Sequence, residues 1–264
     1  MSPMDKTAPP KVLLCDLDGV VWLAHRPVPG SVDALVAAAR AGVEILYVTN
    51  NSFSTVAEQE AHLAAIGVDA AGRVVTSAMS AASVLTPGGR VLVCGGAGLR
   101  EEVSRAGCEM VVAHENPGRV DDYSDVVVGL YREFDYTVLT DAMRAVRSGA
   151  RLVGSNADHS YPTPTGQLPG GGSVLAAIST AASATPVVTG KPHEPMARLV
   201  RSRFPGVEPG DFLMVGDKAS TDGAFAATIG CRFALVLSGV DSAADAPPGA
   251  LVADDLAAVI RAVT

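Results

Sequence analysis

The stretch VLLCDLDGV at residues 12–20 decides the fold, because an apolar run ends there at two closely spaced carboxylates. A short apolar run bounded by turn residues is typical of a strand buried in a parallel sheet. Asp16 and Asp18 follow this run, two positions apart. Open α/β sheets bind ligands beyond the carboxyl ends of their strands, so the pair predicts a functional site at this end of the sheet.

Around this stretch, short β-branched runs alternate with alanine-rich amphipathic stretches, a pattern typical of βαβ units on a parallel sheet. The first strand is followed by a helix over GSVDALVAAARAG, which we expect to begin at an N-capping Ser31. The pattern restarts after TPGG at 86–89 and returns to its first form near TPVVTGKP.

This restart predicts an α/β fold in which one domain interrupts another. We expect a doubly wound, Rossmann-like parallel-sheet core over residues 1–83 and 185–264. A smaller α/β cap domain is expected over residues 84–184, inserted into that core.

Composition and charge exclude several classes of protein. The chain has 264 residues, of which 48% are hydrophobic and 18% charged, as in ordinary globular proteins. A net charge of -8 argues against a nucleic-acid partner or an acidic membrane surface, since both require clustered Lys and Arg. The opening MSPMDKTAPP lacks the apolar region of a signal peptide, and no long apolar run predicts a membrane helix. The four cysteines are scattered and form no CxxC pair, which suits reduced thiols in the cytosol, so we expect a cytoplasmic protein.

Polar residues also follow the other core strands. They are Thr49, Asn50 and Asn51 after EILYV, Lys191 after PVVTG, and Asp217 after FLMVG, with Asp222 a helical turn further on. Clustered carboxylates raise one another's pKa unless a divalent cation joins them, and all-oxygen ligation favours Mg²⁺. A hydroxyl, backbone amides and a lysine around the same point can bind a phosphoryl group. The set predicts phosphoryl transfer.

Four of these stretches, DLDGV, VTNNS, TGKP and GDKASTD, resemble the motifs of the haloacid dehalogenase-like (HAD) phosphohydrolases in their order along the chain. The insertion, with GSNADHSYPTPTGQLPGGGS, resembles the α/β cap of the NagD-like subfamily IIA, which includes p-nitrophenyl phosphatases. The resemblance implies Mg²⁺-dependent hydrolysis of small phosphorylated metabolites, such as sugar, glycerol or nucleotide phosphates, through an aspartyl-phosphate.

The resemblance also implies a role for each core residue. Asp16 is the nucleophile, and Asp18 is the acid that protonates the leaving alcohol and then the base that activates water. Thr49 and the backbone at Asn50 hold the phosphoryl oxygens, while Lys191 balances charge on Asp16 and the phosphate. Asp16, the carbonyl of Asp18 and Asp217 ligate Mg²⁺, and Asp222 orients the water shell of the metal.

In the cap, the resemblance implies that a loop selects the leaving group. Its candidate residues are Asn156, Asp158, His159 and Tyr161, of which Tyr161 is the main candidate for specificity; a solvated loop with no such role is the alternative. Tyr131 stands where an acidic residue is expected, and Phe53 stands where several members carry a substrate-contacting Arg. Phe53 and the acidic balance favour a small, weakly charged leaving group, but the sequence does not identify the substrate.

Three other functions compete with this interpretation. A phosphoacceptor receiver domain would be about half this length, with no inserted cap and with its paired acids before the phosphorylated Asp. A phosphomutase or phosphotransferase would use the same aspartyl-phosphate and retain Asp18, but it must exclude water. A binding protein is disfavoured by the intact catalytic set. Homodimerisation through the cap is common in similar proteins, although nothing in this sequence demands it.

One glycine-rich stretch outside the four motifs, CGGAGLRE at 94–101, resembles the start of a dinucleotide-binding fingerprint. It lacks the third glycine, and no acidic residue follows a second strand at the expected distance. A tight strand-to-helix turn within the cap is the favoured interpretation.

Overall fold

The structure is a computed structural model that describes residues 9–116, 120–163 and 166–264. Residues 1–8, which make up most of the opening segment MSPMDKTAPP, lie outside the described residues. Residues 164–165 of the predicted cap loop also lie outside them. The chain forms two compact units. The first unit comprises residues up to Thr49, Ala57–Val75 and Lys191–Thr264, and the second comprises Asn50–Val56 and Thr76–Gly190. The domain boundaries near residues 84 and 184 stay a prediction.

The elements are numbered along the chain. The strands are β1 (Val12–Cys15), β2 (Trp22–Leu23), β3 (Arg26–Pro27), β4 (Glu44–Thr49), β5 (Val74–Thr76), β6 (Arg90–Cys94), β7 (Glu109–Val112), β8 (Asp125–Val128), β9 (Arg151–Gly154), β10 (Ser160–Thr163), β11 (Gly166–Pro169), β12 (Val187–Val188), β13 (Phe212–Gly216), β14 (Arg232–Val236) and β15 (Leu251–Ala253). The α-helices are α1 (Ser31–Arg40), α2 (Val56–Ala65), α3 (Ser77–Ala82), α4 (Ala97–Arg105), α5 (Tyr136–Arg147), α6 (Gly171–Ala182), α7 (Glu194–Arg203), α8 (Ala224–Ile229) and α9 (Leu256–Val263). A π-helical turn spans Ala219–Gly223.

The sheet of the first unit has the strand order β15-β14-β13-β1-β4-β5. β1 pairs in parallel with β13 on one side and with β4 on the other, so that Cys15 lies level with Val215 and Tyr47. The chain proceeds from β1 to β4 and β5, and later occupies the opposite side with β13, β14 and β15. This is a doubly wound sheet, as predicted, and its order reverses at β1. Such a reversal is where open α/β sheets bind ligands.

The core of the first unit explains why the apolar run of β1 is uninterrupted. Leu14, Leu46 and Met214 come from three neighbouring strands and are buried in one cluster with Met196 of α7 and Phe225 of α8. A strand covered on both faces cannot alternate polar and apolar residues, because both orientations are buried. The carboxylates after Cys15 therefore mark the end of the covered part of the strand.

The second unit has its own parallel sheet, ordered β12-β9-β8-β6-β7, and an antiparallel hairpin of β10 and β11. One face of the sheet packs Leu92 and Val126 against Ile178 of α6. The other face packs Val93 against Leu99 of α4. Helices thus cover both faces of this sheet also, which confirms the α/β class for both halves of the chain.

Segment 50–56 is held within the second unit by the glycine-rich stretch that follows β6. The amide of Gly98 donates to the carbonyl of Phe53 at 2.8 Å. A Cβ at Gly98 would overlap the carbonyl of Ser54, and one at Gly96 would overlap the Phe53 ring. The stretch is a strand-to-helix turn between β6 and α4. Its glycines leave room for the backbone of segment 50–56 to lie against it.

The predicted N-cap at Ser31 is wrong. Helix α1 begins at Ser31, and Gly30 takes the cap position with a φ of 79°, a left-handed conformation that glycine adopts without strain. The hydroxyl of Ser31 instead donates to the carbonyl of Val21 at 2.8 Å. Ser31 therefore ties the start of α1 to the loop after β1.

None of the helices formed by residues 9–116, 120–163 and 166–264 combines the length and the apolar character needed to cross a membrane.

Candidate active site

Three carboxylates meet at the carboxyl ends of β1 and β13. Asp16 follows β1, Asp217 follows β13, and Asp222 lies in the π-helical turn that comes next. Each offers a carboxylate oxygen, and these oxygens lie within 4.8 Å of one another. Parallel strands in register bring their carboxyl ends to one edge of the sheet, which is why residues far apart in sequence converge here.

Lys191 lies between two of these carboxylates. Its Nζ atom is 2.8 Å from Asp16 Oδ1 and 2.7 Å from Asp222 Oδ1, and its side chain is 2% exposed. Burial alone would lower the pKa of Lys191, but the charges of Asp16 and Asp222 outweigh it and raise the pKa above its usual value. Lys191 is therefore a buried, fully charged ammonium group.

Asp217 is held by the loop that follows β14. The amide of Val240 donates to Asp217 Oδ2 at 2.9 Å, and the amide of Asp241 donates to the Asp217 carbonyl at 3.0 Å. Gly19 and Gly239 lie so close that a Cβ on either would overlap the Asp217 carboxylate. This loop is not predicted from the sequence, since a backbone donor leaves no residue-type signal.

The donor set fits a divalent cation. Three carboxylates face one lysine, which leaves an excess of negative charge in a buried place. Burial, followed by the charge of Asp16, raises the pKa of Asp217, and burial also raises the pKa of Asp222. Mg²⁺ prefers such oxygen ligands and tolerates few of them, because it keeps several waters. Asp16 and Asp217 would offer oxygens to such an ion, and Asp222 lies close enough to orient its water shell.

Asp18 differs from the other carboxylates in that it is exposed to solvent. Although the residue reaches solvent, nearby protein atoms partly desolvate its carboxyl group, and this desolvation, followed by the charge of Asp16, raises the pKa of Asp18 to about 6. The indole Nε1 of Trp22 donates to Asp18 Oδ1 at 3.1 Å. From the sequence, Trp22 is expected only to pack under the loop before α1, because nothing in the motif marks its N–H as a donor.

The two predicted phosphate-binding positions lie on either side of a unit boundary. Thr49 is the last residue of β4 and is 3% exposed. Asn50 begins the segment that belongs to the second unit. Its carbonyl accepts from Ser77 Oγ at 2.6 Å and Asn156 Nδ2 at 2.9 Å, and its Nδ2 donates to Asp158 Oδ2 at 2.9 Å. Within the second unit, the structure therefore brings Asn50, Asn156 and Asp158 together.

Comparison with known proteins identifies the family. The sequence model of the haloacid dehalogenase-like hydrolases matches residues 13–109, and a second model, described as HAD-hydrolase-like, matches residues 188–259. A chronophin from Mus musculus is 35% identical over 89% of this chain and 83% of its own length. The chain belongs to the haloacid dehalogenase-like hydrolases.

Other relatives of this haloacid dehalogenase-like hydrolase come from bacteria. D-glycerol 3-phosphate phosphatase from Mycobacterium tuberculosis is 40% identical over 89% of this chain, which spans 65% of the length of that relative. A crystal structure of glycerol phosphate phosphatase from Mycobacterium tuberculosis in complex with magnesium matches with a TM-score of 0.83 and 36% identity, covering 96% of this chain and 77% of that one. The predicted family resemblance is confirmed.

The two remaining specificity candidates of this haloacid dehalogenase-like hydrolase, Tyr161 and Tyr131, have different surroundings in the second unit. Tyr161 accepts a long hydrogen bond of 3.5 Å from Arg132, whose guanidinium lies 4.8 Å from the centre of the Phe53 ring. Tyr131 is 2% exposed, and its hydroxyl contacts the ring of His114. Tyr161 therefore lies beside the exposed Arg132, which also contacts the half-buried Phe53, whereas Tyr131 is part of the interior.

Proposed function

We propose that this chain is a Mg²⁺-dependent phosphatase that hydrolyses small phosphate monoesters through an aspartyl-phosphate on Asp16. The observation that carries the proposal is the contact between the Asp16 carboxylate and the buried ammonium of Lys191, beside Asp217 and Asp222. A carboxylate can act as a nucleophile toward phosphorus, and a positive charge beside it stabilises the phosphoryl oxygens during the transfer.

The first step transfers the phosphoryl group to the protein. A carboxylate oxygen of Asp16 attacks phosphorus, and the bond from phosphorus to the ester oxygen breaks. Asp18 gives its proton to the departing oxygen, so the leaving group departs as a neutral alcohol. Its raised pKa suits this role, since an acid with a pKa near the working pH is most effective.

The second step returns Asp16 to its carboxylate. Asp18, now ionised, takes a proton from a water molecule, whose oxygen attacks phosphorus as the bond to Asp16 breaks. Inorganic phosphate leaves, and Asp18 is protonated again. Lys191 and the hydroxyl of Thr49, with the amide of Asn50, stabilise the phosphoryl oxygens in both steps.

Asp16, the carbonyl of Asp18 and Asp217 would ligate Mg²⁺, with Asp222 orienting its water shell. When bound, the metal supplies positive charge to the phosphoryl oxygens and lessens the repulsion among the carboxylates. The charge excess of the described carboxylates supports this ligand set.

Small phosphorylated metabolites are the substrate class. The relatives named for glycerol phosphate favour an aliphatic alcohol as leaving group. The residues proposed to select the leaving group are Asn156, Asp158 and Tyr161. Tyr131 is the weakest of the sequence-based candidates because its side chain is buried. A homodimer through the cap and a cytoplasmic location remain predictions from the sequence.

The test is phosphate release from a panel of glycerol, sugar, nucleotide and p-nitrophenyl phosphates, with Mg²⁺ and with a chelator. We expect Mg²⁺-dependent turnover that Asp16→Asn abolishes, with Lys11→Met, a surface change, as the control that keeps it. Absence of turnover on every ester would contradict the hydrolase. A phosphomutase or phosphotransferase would instead move the phosphoryl group to a second alcohol and release little inorganic phosphate.

A further inference from the structure

Trp22 is placed rigidly in the loop that follows the nucleophile. Its side chain is 1% exposed, and its amide and carbonyl bond within the loop, to the Leu17 carbonyl at 3.2 Å and the Gly19 amide at 2.8 Å. The hairpin of β2 and β3 pairs Trp22 with Pro27, and the ring of His25 lies edge-on to the indole at 5.1 Å. The loop backbone is thus tied by hydrogen bonds, and the indole is buried against its neighbours.

The indole N–H points at Asp18. The distance from Nε1 to Asp18 Oδ1 is 3.1 Å, within the range of a true hydrogen bond. Asp18 is itself exposed, and an exposed carboxylate without a partner would turn freely about its side-chain bonds. A fully buried donor thus restrains a solvent-facing acid.

The chemistry of the indole decides which oxygen carries the proton. An indole N–H only donates, so the oxygen that faces it accepts and is disfavoured as the site of protonation. We propose that Trp22 is a positioning residue for Asp18: its N–H holds Oδ1 and so fixes the rotation of the carboxyl group, which leaves Oδ2 as the oxygen that serves the leaving alcohol. This inference rests on the proposed role of Asp18 as the acid.

Leaving groups of different basicity test the inference. An aliphatic alkoxide must be protonated as it departs, whereas p-nitrophenolate departs without a proton. We expect Trp22→Phe to lower kcat for glycerol phosphate about tenfold with KM nearly unchanged, and to lower kcat for p-nitrophenyl phosphate less than about threefold. Asp18→Asn should show the same bias more strongly. Equal losses on both substrates, or no loss on either, would overturn the inference.

A second measurement covers the case in which Trp22→Phe does not fold. Trp22 is the only tryptophan of the chain, so growth on a sulfur analogue of tryptophan that lacks the N–H replaces this residue alone. The same selective loss on glycerol phosphate is expected of the substituted protein, and unchanged kinetics would count against the role of the N–H.

The single indole N–H resonance gives a readout independent of activity. In protein labelled with ¹⁵N-tryptophan, Asp18→Ala should shift this resonance upfield, because the hydrogen bond is lost. A resonance that does not move would overturn the contact itself. If wild-type protein hydrolyses no ester while the resonance moves as expected, the proposed function fails and the contact stands, and the positioning role falls with that function.

Discussion

The ammonium group of Lys191 lies 2.8 Å from the carboxylate of Asp16, although the two residues are far apart in the sequence. This contact places a buried positive charge beside the proposed nucleophile. The same lysine also contacts Asp222. One buried cation therefore contacts two of the three clustered carboxylates.

Removing this cation should cost both activity and stability. We expect Lys191→Met to abolish turnover and to lower the free energy of unfolding by about 3 kcal/mol without Mg²⁺, because breaking a buried ion pair leaves its partner uncompensated. Urea denaturation followed by circular dichroism measures the change. Lys11→Met, which removes an exposed lysine paired with Asp211, is the matched control and should leave the midpoint unchanged. Equal effects of the two substitutions would refute the account of Lys191.

Mg²⁺ should stabilise the protein more at high pH than at low pH. Without metal, burial and the charge of Asp16 raise the pKa of Asp217 from 3.8 to about 8, and the pKa of Asp222 is also raised. The folded state then binds more protons than the unfolded state, so this contribution to stability is full below pH 3.8 and is lost as the pH rises toward 8.

Thermal unfolding checks this linkage. Between about pH 5 and pH 8, the melting temperature of the metal-free protein should fall, and saturating Mg²⁺ should raise it by about 5 °C or more at the higher pH. Asp217→Asn should flatten the pH dependence and weaken the response to Mg²⁺. A response to Mg²⁺ that is equal at both pH values would contradict the ligand assignment.

Gly98 should matter for activity although it lies far along the chain from the motifs. A side chain there would push against the carbonyl of Ser54 and displace the segment that begins with Asn50. We expect Gly98→Ala to lower kcat/KM about tenfold, since small displacements of positioning groups are costly. Gly88→Ala, at an open position with a φ of 69°, carries only backbone strain and should leave kcat/KM unchanged. If kcat/KM fell equally in both variants, the loss would come from reduced stability, and the positioning role of Gly98 would be contradicted.

The turn between β2 and β3 stores backbone strain. Ala24 and His25 have φ values of 48° and 63°, which non-glycine residues other than Asn and Asp rarely adopt. We expect Ala24→Asn to raise the free energy of unfolding by about 0.5 kcal/mol, because Asn tolerates this conformation. Ala65→Asn, at an exposed position of α2, should lower it instead, since Asn is the poorer helix former. The two denaturation midpoints should therefore move in opposite directions.

The core of the site could be predicted from the sequence because its residues follow apolar strands directly. Asp16 and Asp217 each stand where a buried run ends, and the parallel pairing of β1 with β13 brings those ends to one edge. Lys191 was expected to follow a core strand in the same way, but this prediction is wrong, because β12 has two residues and pairs with β9 in the sheet of the second unit. The α/β class was predictable for the same reason, since the alternation of strands and helices is a local pattern.

The rest depends on contacts between distant residues, which a local pattern does not contain. The N–H of Trp22 reaches Asp18 because backbone hydrogen bonds that join Trp22 to Leu17 and Gly19 fold the loop after β1 back on itself. Segment 50–56 belongs to the second unit, where the amide of Gly98 donates to the carbonyl of Phe53. Ser31 was expected to cap α1, but Gly30 takes that place and the hydroxyl bonds to another loop.

The most direct test of the central claim is to trap the phosphorylated protein. Wild-type protein is mixed with Mg²⁺ and p-nitrophenyl phosphate, and the reaction is quenched in acid within the first turnover. The protein is then digested, and the masses of its peptides are measured by mass spectrometry. We expect the mass of one phosphoryl group on the peptide that contains Asp16, and none in Asp16→Asn. A phosphoryl group on another residue, or undiminished phosphate release by Asp16→Asn, would contradict the account.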